Sequence, residues 1–250
     1  MTAGRFVWRE LASTDVPAVR SFYSQLFSWG QTEQDMGMPE PYVMFTHDSL
    51  DESTAGVLST PAPGVPSHWV DYITVHNAEE ALAKATSLGA KALTDVIAAP
   101  GVGRFAMIED PVGAVFGILQ SDTPGASDTE RTPPMGTFCW SQLMTTDPEK
   151  ASPFYEALFG WTSSPMGNGA VVFTNNGTSV ASMMKGDQPY SHWLKYVAVE
   201  DADAAFEAAK SLGATPFMAP STIPDMGRFA VLADPSGAVF ALWKDLAPTS

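Results

Sequence analysis

The chain repeats itself, and the repeat restricts its folding more than any other feature. Residues 6–29, FVWRELASTDVPAVRSFYSQLFSW, align with 138–161, FCWSQLMTTDPEKASPFYEALFGW, at 10 of 24 identities. SHWVDYITV at 67–75 matches SHWLKYVAV at 191–199, with 5 of 9 identical. GRFAMIEDPVGAVF at 103–116 matches GRFAVLADPSGAVF at 227–240, with 10 of 14 identical. The blocks keep their order, at offsets of 132, 124 and 124, so the second copy is shorter by eight residues. A duplicated unit of this length predicts two domains of one fold. The predicted boundaries are 1–120 and 136–247. Between them SDTPGASDTERTPPM, residues 121–135, is almost free of apolar side chains and reads as a linker.

Each copy carries the pattern β-α-β-β-β twice. Phe6–Leu11 alternates and is aromatic-rich, as a strand does. Thr14 or Asp15 caps a following helix and Pro17 suits its first turn. Val19, Phe22, Tyr23, Leu26 and Phe27 form one apolar helical face. Strands are expected near 31–36, 42–47 and 54–60. The second half repeats the plan with a strand at 69–75, a helix at 79–88 ended by Gly89, and strands near 91–98, 104–109 and 114–119. Asp110-Pro111-Val112-Gly113 supplies the last hairpin turn.

This order resembles the vicinal oxygen chelate superfamily, which includes glyoxalases, extradiol dioxygenases and bleomycin-resistance proteins. The motifs agree: Asp15, Phe22, Tyr23 and Leu26 in one copy, and Asp147, Phe154, Tyr155 and Leu158-Phe159-Gly160 in the other. Leu-Gly-Ala recurs at 88–90 and 212–214, and Asp-Pro-x-Gly at 110–113 and 234–237. The resemblance implies an α+β protein. Four βαβββ modules form two glyoxalase-like domains, each a U-shaped mixed sheet around a cavity.

The resemblance also implies where a metal would sit. Enzymes of the family hold a divalent ion through side chains on each module's opening strand and a Glu on the closing strand. Those positions here are Trp8, Val70 and Gly117 in one copy, and Trp140, Leu194 and Ala241 in the other. None offers a ligand atom. The expectation is no metal and no other cofactor, a relocated divalent ion being the alternative.

The same strands imply a ligand cavity lined by Phe6, Trp8, Val70 and Phe105, and by Phe138, Trp140, Gln142, His192 and Tyr196. Pairing Trp8 with Val70 sets a register sum of 78. It brings Glu10 opposite His68 and Phe6 opposite Tyr72. A Glu–His pair could move a proton, so Glu10, His68 and Tyr72 are the candidate catalytic residues. His68 and His192 serve equally well as partners of a loop carbonyl. An aromatic wall with a few polar groups suits a hydrophobic or aromatic small molecule.

Three functions follow: a binding protein, a metal-free acid/base enzyme, or a metal-dependent lyase or dioxygenase with relocated ligands. An enzyme would be a lyase, isomerase or oxygenase of small molecules.

Bulk properties narrow the partners. The net charge is −15, which repels nucleic acid and anionic lipid. Cys139 is the sole cysteine, so no internal disulfide forms. No apolar run reaches the ~20 residues of a membrane span. The N-terminus, MTAGRFVWRE, has no leader-like apolar stretch, so a cytoplasmic location is expected. Four modules in one chain predict a monomer or a homodimer.

Overall fold

The computed structural model describes residues 3–37, 40–47, 53–122, 133–167 and 169–246. Residues 123–132 of the expected linker and residue 247, the expected end of the second domain, lie outside this set.

The first copy contains β1 (Phe6–Ser13), α1 (Val16–Phe27), β2 (Gly30–Gln34), β3 (Tyr42–Thr46) and β4 (Ser53–Ser59). It continues with β5 (His68–Thr74), α2 (Ala78–Ser87), β6 (Lys91–Ala92), β7 (Ile97–Ala99), β8 (Gly103–Glu109) and β9 (Val115–Ser121). The second copy contains β10 (Phe138–Thr145), α3 (Pro148–Phe159), β11 (Thr162–Gly167), β12 (Ala170–Asn175) and β13 (Thr178–Lys185). It ends with β14 (His192–Ala198), α4 (Ala202–Ser211), β15 (Thr215–Ile223), β16 (Gly227–Ala233) and β17 (Val239–Asp245). The α+β class and the βαβββ plan are as expected.

One sheet runs β2-β3-β4-β1-β5-β9-β8-β6, with β7 on β8. The other runs β11-β12-β13-β10-β14-β17-β16-β15. Both are mixed: β1 pairs parallel with β4 and β5 parallel with β9, while β2–β3–β4 and β8–β9 are antiparallel.

Local chemistry sets the helix ends. Asp15 and Asp147 accept from the N–H groups of Ala18 and Lys150 at 3.0 and 3.1 Å. Asn77 and Asp201 cap α2 and α4 in the same way. These acceptors satisfy donors that the first helical turn leaves unpaired. Arg228 reaches back from β16 to Asp203 in the first turn of α4 at 2.5 and 2.7 Å. Arg104 contacts Glu79 of α2 likewise.

The chain divides into two compact units that do not follow the two copies. Unit 1 comprises Met1–Trp8, Val70–Arg131 and Ser141–Trp193. Unit 2 comprises Arg9–Trp69, Thr132–Trp140 and Leu194–Ser250. Unit 1 therefore contains α2 and α3, and unit 2 contains α1 and α4. In unit 1 the core joins Ile73, Ile108, Phe116 and Ile118 to Phe154, Tyr155, Trp161 and Phe173. In unit 2 it joins Val19, Phe22, Tyr23, Trp29 and Phe45 to Val197, Phe206, Leu232 and Phe240. Each core is thus built from both copies.

Glycines set the register at the start of each copy. Gly4, at φ 79°, donates to the Thr74 carbonyl at 2.7 Å, and Thr74 donates to Arg5 at 2.8 Å. Two residues face one, a G1-type bulge that needs the glycine's positive φ. Gly136, at φ 81°, repeats it with Ala198 and Thr137 at 2.7 and 2.9 Å. Among the described residues, no helix is long and apolar enough to cross a membrane.

Candidate functional site

The residues that carry the repeat's strongest motifs meet in the cores. In unit 1, Tyr155 of α3 donates to Asp110 Oδ2 at 2.9 Å and accepts from the Trp193 indole at 3.1 Å. Asp110 Oδ1 also accepts from the N–H groups of Val112 and Ala114 at 2.8 and 2.9 Å, which closes the Asp-Pro-x-Gly turn. Unit 2 repeats this with Tyr23, Asp234 and Trp69, at 3.0 Å for both tyrosine bonds. Both phenols are fully buried, and burial first, then the adjacent carboxylate, raises each well above the usual tyrosine value. Burial likewise raises Asp110 and Asp234, although their hydrogen bonds oppose the shift. These networks have no open face and hold the fold together.

A different cluster lies in unit 1, away from that core. Val70, Tyr72 and Leu119 are buried, with Val7, Trp8, Phe105 and Met107 packed against them. Tyr72 of β5 is level with Gly117 of β9 in the parallel register. A Cβ at Gly117 would overlap the Tyr72 ring. The ring therefore lies over the very position where the family resemblance puts a metal-binding Glu. Phe105 meets Tyr72 at 5.9 Å between centroids, with planes at 76°. This edge-to-face contact fixes both rings. Trp8 and Phe105 stay partly exposed, so the cluster has an accessible aromatic surface.

The expected acid/base pair takes separate partners. In unit 2, Glu10 accepts from the Tyr42 hydroxyl at 2.8 Å. Glu10 is level with Gly56, and a Cβ at Gly56 would overlap Tyr42, so the missing side chain lets the phenol reach the carboxylate. His68 Nδ1 donates instead to the Pro66 carbonyl at 2.8 Å. Tyr72, the third member, belongs to the apolar cluster of unit 1.

Two of the expected lining residues lie in the cores. Phe6 is 1% exposed in the core of unit 1, 5.3 Å from Trp193 and 6.0 Å from Trp161. Phe138 is buried in unit 2 at 5.2 Å from Trp69 and 5.6 Å from Trp29. Thr74 donates to Arg5, a pairing sum of 79 rather than the 78 expected from Trp8 and Val70, so Phe6 falls level with Ile73 rather than Tyr72. Both Phe6 and Ile73 are core residues.

In the second copy, Gln142 is half-buried and level with Ser182, and His192 lies 5.4 Å from the Tyr190 ring. Trp140 is half-buried. Tyr196 is 6.5 Å from Phe229 and 6.1 Å from Trp243. Phe229, Trp243 and Tyr42 were not expected at any site. The first two differ in visibility: Leu119 aligns with Trp243 at offset 124, a mismatch that the sequence displays. Cys139 donates weakly to the Tyr196 carbonyl at 3.5 Å, and burial pushes its thiol up to about 12. It is a neutral, unreactive group.

The side chains at the positions where the family resemblance would put a metal do not fit one. Val70 packs with Tyr72, and a phenyl ring fills the space at Gly117. Among the described residues, no three His, Cys, Asp or Glu side chains gather into a ligand set.

A family model described as a glyoxalase-like domain matches residues 140–243. CFP32 of Mycobacterium tuberculosis, whose name carries a provisional assignment as a glyoxylase, is 35% identical over 248 residues. That match covers 95% of this chain and 93% of the relative. The chain belongs to the glyoxalase-like, vicinal oxygen chelate family. A more distant member is the anthracycline biosynthesis protein DauV of a Streptomyces species, 27% identical over 96% of this chain and 92% of that one. The Mn(II)-bound glyoxalase of Novosphingobium aromaticivorans shares the fold, with a TM-score of 0.68 at 17% identity over 98% of this chain and 83% of that one. So does the 2,3-dioxygenase LapB of Pseudomonas sp. KL28, with a TM-score of 0.68 at 14% identity over 100% and 96%.

Proposed function

We propose that this family member binds a flat, hydrophobic or aromatic small molecule, without a metal, on the face formed by Trp8, Val70, Tyr72, Phe105 and Leu119. One observation carries the reading: the Tyr72 ring seated on Gly117, with Phe105 set edge-on beside it. A ligand that meets two fixed rings loses little conformational freedom from the protein on binding. The likeness to a protein named for anthracycline biosynthesis supports a polycyclic aromatic ligand. Acid/base chemistry at Glu10 and His68 is not part of the reading, since Tyr42 and Pro66 take those groups.

Titrating the purified chain with an anthraquinone derivative tests the proposal, with binding read by calorimetry. Saturable binding is expected without added metal. Trp8→Ala should weaken it about thirtyfold, a typical loss for a buried indole anchor. Binding that appears only with stoichiometric Mn(II), Fe(II) or Zn(II) would overturn it. So would an unchanged affinity in Trp8→Ala.

A further inference from the structure

The second copy differs from the first at one aromatic position, and the difference builds another kind of site within unit 2. Phe229 of β16 and Trp243 of β17 are directly opposed in the antiparallel register. Tyr196 of β14 is level with Ala241, two residues before Trp243 on the same face of β17. The Tyr196 ring therefore meets both neighbours. Its centroid is 6.5 Å from Phe229 at 51° and 6.1 Å from Trp243 at 82°. The Tyr196 ring thus stands at a steep angle to each of two rings on one sheet face. Gly227 makes room for the largest, because a Cβ there would overlap the Trp243 indole. In the first copy the aligned residues are Tyr72, Phe105 and Leu119, so a third ring is absent.

We propose that Tyr196, Phe229 and Trp243 form an aromatic cage for an alkylated ammonium cation, a site separate from the face assigned to the first copy. Ring faces carry negative potential, and a desolvated cation is drawn to several of them at once. The net charge of the chain also favours a cation. Asp245 lies two residues beyond Trp243 at the exposed end of β17, and the whole chain carries −15. Arg228 and Lys244 oppose one another on the other face of the β16–β17 pair, and Arg228 is bound to Asp203. The buried Arg9 guanidinium lies over the Phe138 ring at 5.4 Å.

Calorimetry on the full chain tests this with choline and with 3,3-dimethylbutan-1-ol, which has the same shape and no charge. Choline is expected to bind about tenfold or more tightly than the neutral alcohol. Trp243→Leu installs the residue that the first copy carries, and should reduce choline binding at least about tenfold. Trp243→Tyr keeps a third ring and should retain most of the affinity, which separates the loss of a ring from a loss of folding. Equal binding of the two probes would overturn the proposal. So would full choline binding by Trp243→Leu, or no heat from choline at millimolar concentration.

Discussion

Tyr155→Phe is expected to lower the stability of the chain by about 3 kcal/mol, although it removes a single oxygen atom. Two buried partners lose their bond at once. The Trp193 indole has its hydrogen bond to the Tyr155 oxygen, and Asp110 Oδ2 accepts from the Tyr155 hydroxyl. A neutral donor or acceptor left unpaired in a core costs about 1–3 kcal/mol, and a carboxylate costs more. Ring packing is not the source of the effect. Phe keeps the contacts with Trp193, Phe116 and Phe173 at 5.4, 5.6 and 6.0 Å. Chemical denaturation measures the change. A loss below about 0.5 kcal/mol would mean that the network is decorative. Tyr23→Phe should behave alike in unit 2, where Asp234 and Trp69 are the partners.

The penalty depends on pH in a direction that the carboxylates determine. Asp110 and Asp234 have folded values raised from 3.8, chiefly by burial. A raised carboxyl holds its proton more tightly in the folded state than in the unfolded one. Its contribution to stability is therefore greatest below the unfolded value, and falls as pH rises through the window up to the folded value. The Tyr155 hydroxyl opposes the rise of Asp110, so its removal raises Asp110 further. The cost of Tyr155→Phe should thus be smaller at pH 4 than at pH 7. A cost that grows on acidification would show that the carboxylate is not the group left unpaired.

These partners explain which parts of the protein were legible in its sequence. Asp15 as a helix cap, Pro17 in the first turn and Asp110 at the last hairpin follow from local rules, and each stands where those rules put it. Tyr23 and Tyr155 were legible as core from helical spacing. Their partners were not. Tyr155 of the second copy bonds Asp110 of the first, and Tyr23 bonds Asp234, so each network joins residues from both repeats. No local period encodes that exchange. Register failed for a related reason. The expected sum of 78 takes Trp8 as the partner of Val70, whereas the Thr74–Arg5 bond gives 79. Two glycines at the 132-residue offset, two positions before each aromatic strand, mark where each bulge sits. The Glu10–Tyr42 bond depends on a ring crossing over Gly56, a contact that strand pattern alone does not reveal.

Gly117→Ala is expected to cost about 2 kcal/mol and to weaken aromatic binding on unit 1 about tenfold or more, with one methyl group. Gly117 has no positive φ to satisfy, so backbone strain does not enter. The added carbon would occupy space that the Tyr72 ring holds, and Tyr72 is 6% exposed, with little room to retreat. The second copy shows where the ring would go. Its equivalent position is Ala241, level with Tyr196, and there the tyrosine lies 6.5 Å from Phe229 at 51° rather than 5.9 Å at 76°. Gly117→Ala should therefore drive Tyr72 toward the pose of Tyr196 and spoil its edge-to-face contact with Phe105. A double-mutant cycle isolates the cause. In a Tyr72→Ala background the same methyl should cost close to nothing, since the obstructing ring is gone. Additive losses would refute the steric account. The same comparison implies that Gly117→Glu, which adds a carboxylate at this position, does not by itself make a metal site. Tyr72 would first have to vacate the position, and Trp8 and Val70 would still contribute no ligand atom. Substitutions on one sheet face thus distinguish the copies: Gly117 with Leu119 leaves the Tyr72 ring over the closing strand, and Ala241 with Trp243 sets Tyr196 between two rings.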